Sequence, residues 1–513
     1  MNPAEPRAAT DRSLWLFCGA LLSLAALFRV RALSWGAPYV YHADEHYILH
    51  GALRLVRERT LDPDFFQYPS FLIYAEAVLV AVLQSWLQVD LRTDAAVHGI
   101  GPWDVAPEQF PFVFAGRILV ATMGIVSVVA VGLLWRGWLG PIAGWVAALL
   151  LAVSPLHVES SHYLTTDVPA MFWVLCGLVL SARVSEPGNG HRWAMLAGAS
   201  AGLAAASKYP AGIVLIPVVA GAASSERWFR RMVIVGACFV ATFALASPFV
   251  VLRPIRALED LAIVRSNYGS APSPWGNFEF FVTYLWRTGV GPVGSVLALL
   301  GWMYCWRGSA LGNLWWRASV LLVPWLYLAY LSTWSVRFER NLLPIVPFVL
   351  LWIGVASQRL FAALPLRLRQ IAVFGLALAI ALPLGRASEQ LVRRLALPDT
   401  RTRALEWIHA NVPPGAHLAR EEYTPQVSGK QYRVTYVQLL GLRPYSWYVA
   451  NRVEYLVASS LMYERGLRAP ALGEFYRFVF QQLPLEAEFR PDANTNGPTI
   501  RIYRVPLWQD DDA

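Results

Sequence analysis

The chain has 513 residues, of which 56% are hydrophobic and only 15% are charged, and its mean hydropathy is +0.42. Soluble domains carry about 25% charged residues, so these values exclude a soluble multidomain protein, a disordered chain and a disulfide scaffold. They indicate a protein that crosses a membrane many times. The net charge of +9 would suit a nucleic-acid partner, but no nucleic-acid motif is present, and basic cytoplasmic loops are the commoner cause in a membrane protein.

Apolar segments long enough to cross a bilayer recur as far as residue 386. The first ends at Arg29 without a small-residue cleavage site, which favours a retained span over a signal peptide. We predict an all-α polytopic membrane domain over residues 1–386 with 11 to 13 transmembrane helices. Eleven spans are placed at 13–33, 112–135, 141–158, 168–183, 193–208, 210–224, 231–250, 285–305, 317–333, 342–358 and 370–386.

Arginine clusters occupy every second short connection between these spans. The positive-inside rule assigns such connections to the cytoplasm, which places the N-terminus inside and a large first loop, about 34–111, outside. Arg29 and Arg31, at the outer end of the first span, run against the rule. Residues 70–89 are apolar enough to span, but a crossing there would put the clusters outside. We interpret them as a re-entrant or surface-lying helix, with a missed partner span as the alternative.

Residues 387–513 carry more charge and contain no span. Asp399 or Thr400 precedes a helical stretch, RTRALEWIHAN, in the manner of a helix cap. The alternating stretches VEYLVAS and TIRIYRV are typical of strands. We therefore predict a small C-terminal α/β domain outside the membrane, on the same side as the first loop.

A dense polar cluster follows the first span, with His42, Asp44, Glu45 and His46 inside five consecutive residues. A carboxylate here could remove a proton from an attacking hydroxyl group, or help to hold a divalent cation. The alternative is a solvated loop start or a helix cap.

Further candidates lie at the predicted outer ends of later spans. Asp167 stands in Thr-Thr-Asp-Val-Pro at the start of the fourth span, where it could also act as a helix cap. Lys208, Arg337 and Arg340 lie in outer turns, and Arg117 opens the second span. Cations at such positions are candidates for binding a lipid phosphate, although each could instead anchor to headgroups.

The order of these motifs resembles a known family. An early Asp-Glu, a Tyr-Pro before an apolar helix, Thr-Thr-Asp-Val-Pro, a Lys-Tyr turn and a late Arg-x-x-Arg-x-x-x-Pro are similar to the polyprenol-phosphate-dependent glycosyltransferases of the GT-C fold. These include the protein O-mannosyltransferases and the aminoarabinose transferases that modify lipid A. The resemblance covers the membrane region and, more loosely, the outer domain.

The resemblance implies a sugar donor linked to polyprenyl phosphate and an acceptor hydroxyl on a protein, lipid or glycan. It implies transfer at the periplasmic or extracellular face of a bacterial cytoplasmic membrane, with inversion if the displacement is direct. Tyr68 departs from the aminoarabinose-transferase pattern, which often has a lysine before this proline. That departure puts aminoarabinose in doubt as the sugar.

The resemblance also assigns roles by position. Asp44 matches the catalytic base, with Glu45 beside it, and Asp167 matches a second acidic position. The residues expected near the donor phosphate are Lys208, Arg337, Arg340 and Arg117. The cofactor question stays open between none and a divalent metal ion, for which the candidate ligands are Asp44, His42, His46 and Asp167.

Two other classes of protein remain as alternatives. A transporter or flippase of lipid-linked sugars would also have many spans and sparse charges, but its charged sites usually lie near the middle of the membrane. A non-catalytic envelope assembly protein would need neither the Asp-Glu cluster nor the cations. The position of the notable charges at outer ends favours the transferase.

Overall fold

A computed structural model describes residues 7–92, 101–185, 191–225, 227–307 and 313–506. Residues 93–100 of the predicted outer loop fall outside these ranges. The chain forms two compact units. We call residues 1–33, 60–79 and 115–392 the membrane unit, and residues 34–59, 80–114 and 393–513 the sheet-bearing unit.

Most of the α-helices before residue 396 are apolar, with Glu45–Glu58 and Pro254–Tyr268 as more polar exceptions, and several begin with proline, which suits the first helical turn. They span Arg7–Val30, Phe71–Leu87, Phe110–Leu139, Pro141–Ala152, Pro155–Ser160, Asp167–Ser185, His191–Ser207, Leu215–Ala223, Trp228–Ala246, Pro248–Leu252, Pro254–Tyr268, Pro274–Tyr284, Gly291–Arg307, Leu314–Ser332, Val346–Leu360 and Leu366–Leu395. Short 3-10 helices lie at Pro107–Gln109, Tyr209–Val214 and Glu339–Ile345, and a π-helical turn lies at Leu285–Gly289.

Six stretches of the described residues are long and apolar enough to cross a membrane. They are Pro107–Leu133, Asp167–Val184, Trp228–Ala246, Leu314–Ser332, Glu339–Leu360 and Leu366–Leu395, and each coincides with a predicted span. A seventh, the pair Pro274–Gly289 and Gly291–Arg307, is bent by 115°. The other four predicted spans correspond to shorter helices or helix segments, as does the stretch 70–89, which forms the helix Phe71–Leu87. This fold confirms a helical membrane domain.

Burial separates central helices from peripheral ones in the membrane unit. In the most apolar 18-residue stretch of Glu339–Leu360, 94% of the residues are buried. In the corresponding stretch of Trp228–Ala246, only 11% are buried. A helix buried on all sides needs apolar residues on all sides, and a lipid-facing helix can be equally apolar. Apolar composition alone therefore does not distinguish the two.

Arg29 is fully buried, and its contacts account for a basic residue that runs against the positive-inside rule. Its guanidinium donates to the carbonyl oxygens of Leu151 at 2.9 Å and Ala152 at 3.0 Å, at the carboxyl end of the helix Pro141–Ala152. It also lies 2.7 Å from the Nδ1 atom of His157. The arginine thus satisfies carbonyl groups that a helix end would otherwise leave without donors.

The segment before the helix Phe71–Leu87 is tied to later parts of the membrane unit. Arg253 binds Asp62 at 2.5 Å and Asp64 at 3.0 Å. The backbone N–H of Phe66 donates to the buried carboxylate of Asp260 at 2.7 Å. These contacts fix the position of residues 62–66, which lead into the helix Phe71–Leu87.

The sheet-bearing unit contains a five-stranded mixed sheet in the order β2-β1-β3-β5-β4. The strands are β1 His417–Arg420, β2 Arg433–Tyr436, β3 Tyr455–Ser459, β4 Leu485–Phe489 and β5 Ile500–Arg504. β1 pairs in parallel with β2 and β3, and β5 pairs antiparallel with β3 and β4. The other helices of this unit are Glu45–Glu58, Thr400–Asn411, Tyr445–Ala450, Ser460–Leu467 and Pro470–Gln482, with a 3-10 turn at Leu440–Leu442.

Both faces of the sheet are covered. Val457 packs into one cluster with Ile408 of the helix Thr400–Asn411, and its neighbour Leu456 packs into the other with Val479 of Pro470–Gln482. Successive strand residues point to opposite faces, so the central strand β3 is buried throughout. The predicted C-terminal helix and both predicted strands are confirmed. Asp399 caps the helix by accepting from the N–H of Arg401 at 2.9 Å.

Candidate active site

Asp44 stands at the start of a helix but does not cap it. It occupies the N-cap position of Glu45–Glu58, and its side chain accepts no hydrogen bond from the first turn. Its backbone N–H donates to the Nδ1 atom of His42 over 3.2 Å. Both side chains are half-buried. The helix-cap alternative is therefore wrong for Asp44, whose carboxylate is not used to hold the helix start.

The two residues after Asp44, Glu45 and His46, are buried. Burial, followed by the neighbouring His50, lowers the pKa of His46 to about 3, and burial lowers the pKa of His50 to about 4. Both imidazoles are therefore neutral near pH 7. Within the described ranges, no three His, Cys, Asp or Glu side chains are arranged to hold a metal ion. A divalent metal held by His42, His46, Asp44 or Asp167 stays a prediction from the sequence.

A second carboxylate near Asp44 was not anticipated from the sequence. Glu422 follows β1, is half-buried, and has its pKa raised by burial and further by Asp44, with Arg465 opposing. Burial, Glu422 and Asp44 in turn raise the pKa of Tyr47. Neighbouring carboxylates disfavour each other's ionisation, so Glu422 holds a proton more readily than an isolated glutamate. The only signal in the sequence was an acidic pair, Glu421-Glu422, at the end of a short strand.

Asp167 and Lys208, in the membrane unit, form a buried ion pair. The Nζ atom of Lys208 lies 2.6 Å from Oδ1 of Asp167, and it also donates to Oδ1 of Asn341 at 2.8 Å. The side chains of Asp167 and Lys208 are 4% and 13% exposed. Three N–H groups are available on a lysine, so one remains beyond these two contacts. The structure brings two predicted site residues together and adds Asn341, which the sequence did not single out.

Arg337 and Arg340 do not lie on one helix, because the 3-10 helix Glu339–Ile345 begins after Arg337. Their spacing of three residues therefore does not place them on one helical face. The Nε atom of Arg337 donates to Asn277 at 2.7 Å, and its guanidinium lies 5.6 Å from the centre of the Phe280 ring. Arg340 stacks over Phe338 at 5.0 Å. Arg337 is exposed and Arg340 half-buried, so both guanidinium groups are reachable from solvent.

Arg117 occupies a different environment from these arginines. It is fully buried in the helix Phe110–Leu139, and one of its amino groups donates to the carbonyl of Leu33 at 2.8 Å. This contact ties the second long helix to the end of the first. A role for Arg117 in donor binding stays a prediction.

Part of the chain matches a family of known proteins. Residues 113–252 match the family model described as dolichyl-phosphate-mannose-protein mannosyltransferase, and this stretch holds Arg117, Asp167 and Lys208. Comparison with curated proteins finds no match.

The chain is similar to ArnT from Cupriavidus metallidurans bound to undecaprenyl phosphate, with a TM-score of 0.57 and 14% identity over 96% of this chain and 98% of that one. It is also similar to the archaeal oligosaccharyltransferase AglB from Archaeoglobus fulgidus in complex with an inhibitory peptide and a dolichol-phosphate. That likeness has a TM-score of 0.56 and 12% identity, and covers 95% of this chain and 74% of that one. The chain therefore has the GT-C membrane fold, and the resemblance to polyprenol-phosphate-dependent glycosyltransferases predicted from its sequence is confirmed.

Proposed function

We propose that this protein is an integral-membrane glycosyltransferase that moves a sugar from a polyprenyl-phosphate donor to an acceptor hydroxyl. The observation that carries the proposal is the GT-C fold, which extends over nearly the whole chain. The similar ArnT structure holds undecaprenyl phosphate and the similar AglB structure a dolichol-phosphate. We carry their shared chemistry, a phosphate on a long isoprenoid chain, over to this protein.

The proposed location is the cytoplasmic membrane of a bacterium, with transfer on the periplasmic or extracellular side. Its support is the distribution of arginines along the sequence, which assigns the first loop and the C-terminal region to the outer side. The proposed acceptor is a hydroxyl group on a protein, a lipid or a glycan.

In the proposed reaction, Asp44 is the general base. It removes the proton of the acceptor hydroxyl as the oxygen attacks the anomeric carbon of the sugar. A carbon–oxygen bond forms, the bond from that carbon to the phosphate oxygen breaks, and the polyprenyl phosphate leaves with the electron pair. This single displacement inverts the anomeric centre. The half-buried Asp44 carboxylate, which does not cap its helix, supports this role.

The departing phosphate gains negative charge, which fixed cations would stabilise. Arg337 and Arg340 are the proposed ligands, because their guanidinium groups are accessible and can form bidentate contacts with phosphate oxygens. Lys208 has one N–H left for the phosphate beyond its bonds to Asp167 and Asn341. Arg117 is buried, so its positive charge would stabilise the phosphate through the local electrostatic potential and not by direct contact.

Asp167 has a positioning role in this scheme. Its ion pair holds Lys208 in one orientation, and the pair lies inside the segment that matches the mannosyltransferase family model. A lysine held by a carboxylate and an amide loses little further conformational freedom on binding a ligand.

The test is direct assay of the purified full-length protein. It is incubated with a panel of polyprenyl-phosphate-linked hexoses and pentoses together with total envelope acceptors, and release of free polyprenyl phosphate is followed by mass spectrometry. We expect release with at least one donor, and we expect it to be lost in Asp44→Asn. Movement of an intact donor across vesicles without release would contradict the proposal and favour the flippase alternative.

A further inference from the structure

The sheet-bearing unit contains a cavity beside the segment that carries Asp44. Three segments contribute to its lining, residues 40–43 with His46, residues 103–104, and residues 420, 422–424 and 426 at the end of β1 and after it, together with Arg401. Its volume of about 40 Å³ has room for roughly three water-sized groups. It can therefore receive the edge of a ligand with two or three hydroxyl groups, and it is too small for a whole ring.

One buried acceptor in the cavity wall has no donor. Gln426 is 6% exposed, and its Nε2 atom donates to the carbonyl of Val40 at 3.1 Å. That bond sets the amide orientation, because the flipped amide would place two oxygens against each other. The Oε1 atom is buried and receives no hydrogen bond from any described residue. A buried acceptor without a donor is unfavourable, and a ligand O–H or N–H would satisfy it.

The cations in the wall are already paired inside the protein. Arg420 forms a buried ion pair with Asp104, and Arg401 binds Asp399 at 2.7 Å. Arg401 also donates to the carbonyl of Tyr41 at 3.0 Å. An anionic ligand would therefore have to displace a carboxylate from its arginine. The acceptors Glu422 and Gln426 instead favour a neutral ligand that donates hydrogen bonds.

The loop that carries Glu422 and Gln426 is held in an unusual conformation. Tyr423 has φ +61°, a left-handed conformation that is costly for a bulky residue and that occurs at functional sites. Glu421, just before it, is fixed by hydrogen bonds from the N–H of Leu440, the N–H of Ser459 and the hydroxyl of Tyr476, at 3.0, 2.8 and 2.6 Å. Glu421 is thus an anchor, which places the next carboxylate, Glu422, in the cavity wall.

We propose that this cavity is a sugar subsite, in which Glu422 and Gln426 accept hydrogen bonds from ring hydroxyl groups and Tyr41, Trp103 and Tyr423 cover the apolar edge. Because Glu422 interacts with Asp44, the bound sugar lies beside the proposed base. This inference rests on the proposed function for the source of the sugar, which is the transferred sugar of the donor or a sugar on a glycan acceptor. Both sources present the same hydroxyl groups.

Saturation-transfer NMR on the full-length protein in detergent micelles tests the subsite without turnover. The probes are methyl glycosides of common hexoses and pentoses. We expect at least one glycoside to bind, and we expect Glu422→Gln and Gln426→Met each to weaken it by roughly tenfold or more, as for loss of a charged or buried hydrogen bond. Glu474→Gln, an exposed glutamate of the same unit, is the matched control and should bind as the wild type does. Inorganic phosphate should not compete.

Absence of glycoside binding, or equal binding in the wild type and Glu422→Gln, overturns the subsite. Because Glu422→Gln keeps the side-chain volume, we expect this variant to fold. It therefore tests the subsite even if Gln426→Met does not fold. Asp44→Asn should bind the glycoside while losing turnover. Glycoside binding without release of polyprenyl phosphate by the wild type would contradict the proposed function but not the subsite. Release of polyprenyl phosphate without glycoside binding would contradict the subsite alone.

The kinetics of Glu422→Gln identify the source of the sugar. A rise confined to the KM for the lipid donor assigns the cavity to the transferred sugar. A rise confined to the KM for the acceptor assigns it to a glycan acceptor. Unchanged KM values for both substrates in an active enzyme contradict the subsite.

Discussion

The two acidic candidates, Asp167 in the membrane unit and Asp44 in the sheet-bearing unit, have different charged neighbours. In the membrane unit, Asp167 lies 2.6 Å from Lys208, and Asn341 accepts a second bond from the same lysine. In the sheet-bearing unit, Asp44 and Glu422 are like charges set near each other, and burial raises the pKa of Glu422 with only Arg465 in opposition. A neutralised pair fixes geometry, whereas a strained pair of carboxylates is suited to accept a proton. This difference is consistent with the roles proposed above, positioning for Asp167 and proton transfer for Asp44.

The largest effect is expected from a change at Asp44, the proposed general base. Asp44→Asn should reduce turnover by about 10²–10⁴-fold, because a general base of that kind contributes a factor of this size. Thermal stability should stay near that of the wild type, since the amide keeps the volume and Asp44 does not cap its helix. Turnover is measured as release of polyprenyl phosphate, with Glu474→Gln as control. Normal turnover in Asp44→Asn would show that Asp44 is not the general base.

Removal of one partner from the neutralised pair should instead damage folding. Lys208→Met leaves the buried Asp167 carboxylate without its cation, which typically costs about 3–5 kcal/mol of stability. Chemical unfolding in detergent measures the loss. The double variant Lys208→Met/Asp167→Asn should regain much of it, because no uncompensated charge remains. If the single and double variants are equally stable, the pair does not hold this region together.

A group in the sheet-bearing unit should make the free energy of unfolding depend on pH. Burial raises the pKa of Glu421 from 4.5, the ordinary value for a glutamate, to about 7, despite the hydrogen bonds from Tyr476, Leu440 and Ser459. The folded state therefore holds the proton more tightly than the unfolded state. This stabilisation is fully present below pH 4.5 and is lost as the pH rises through 7. The difference in pKa corresponds to about 3 kcal/mol.

The measurement is the unfolding free energy of the full chain between pH 4.5 and 8. Glu421→Gln should flatten the decline over this range, because it removes the titrating group. Glu474→Gln should keep the wild-type slope. An unchanged slope in Glu421→Gln would mean that another group causes the pH dependence.

The smallest effect concerns the donor phosphate. Arg337→Met should raise the KM for the lipid donor by roughly 10- to 150-fold, the loss expected for one charge-assisted hydrogen bond, with little change in the KM for the acceptor. Arg265→Met, which removes another exposed arginine of the membrane unit, is the control. A higher KM for the acceptor, or no change in either KM, would make Arg337 a headgroup anchor.

Much of the fold could be predicted because its signals are local. Six of the predicted spans match helices of spanning length, since a bilayer demands long apolar runs that are visible in composition. Asp399 as a cap and the strands around residues 455–459 and 500–504 follow equally local patterns. The predicted domain boundary at residue 386 lies inside the helix Leu366–Leu395, because a helix that continues out of its apolar run leaves no compositional mark where it ends.

The sequence by itself determined the membrane class, the order of its helices, and Asp44 and Asp167 as acidic candidates. Only the tertiary structure decided which partner each of them has. Lys208 reaches Asp167 across 41 positions and Asn341 across 133, and Glu422 meets Asp44 only because β1 ends beside that segment. The physical reason is that an ion pair or a carboxylate pair depends on distances of a few ångströms in space. Helix packing and strand order set those distances, and neither is encoded in the spacing of residues along the chain.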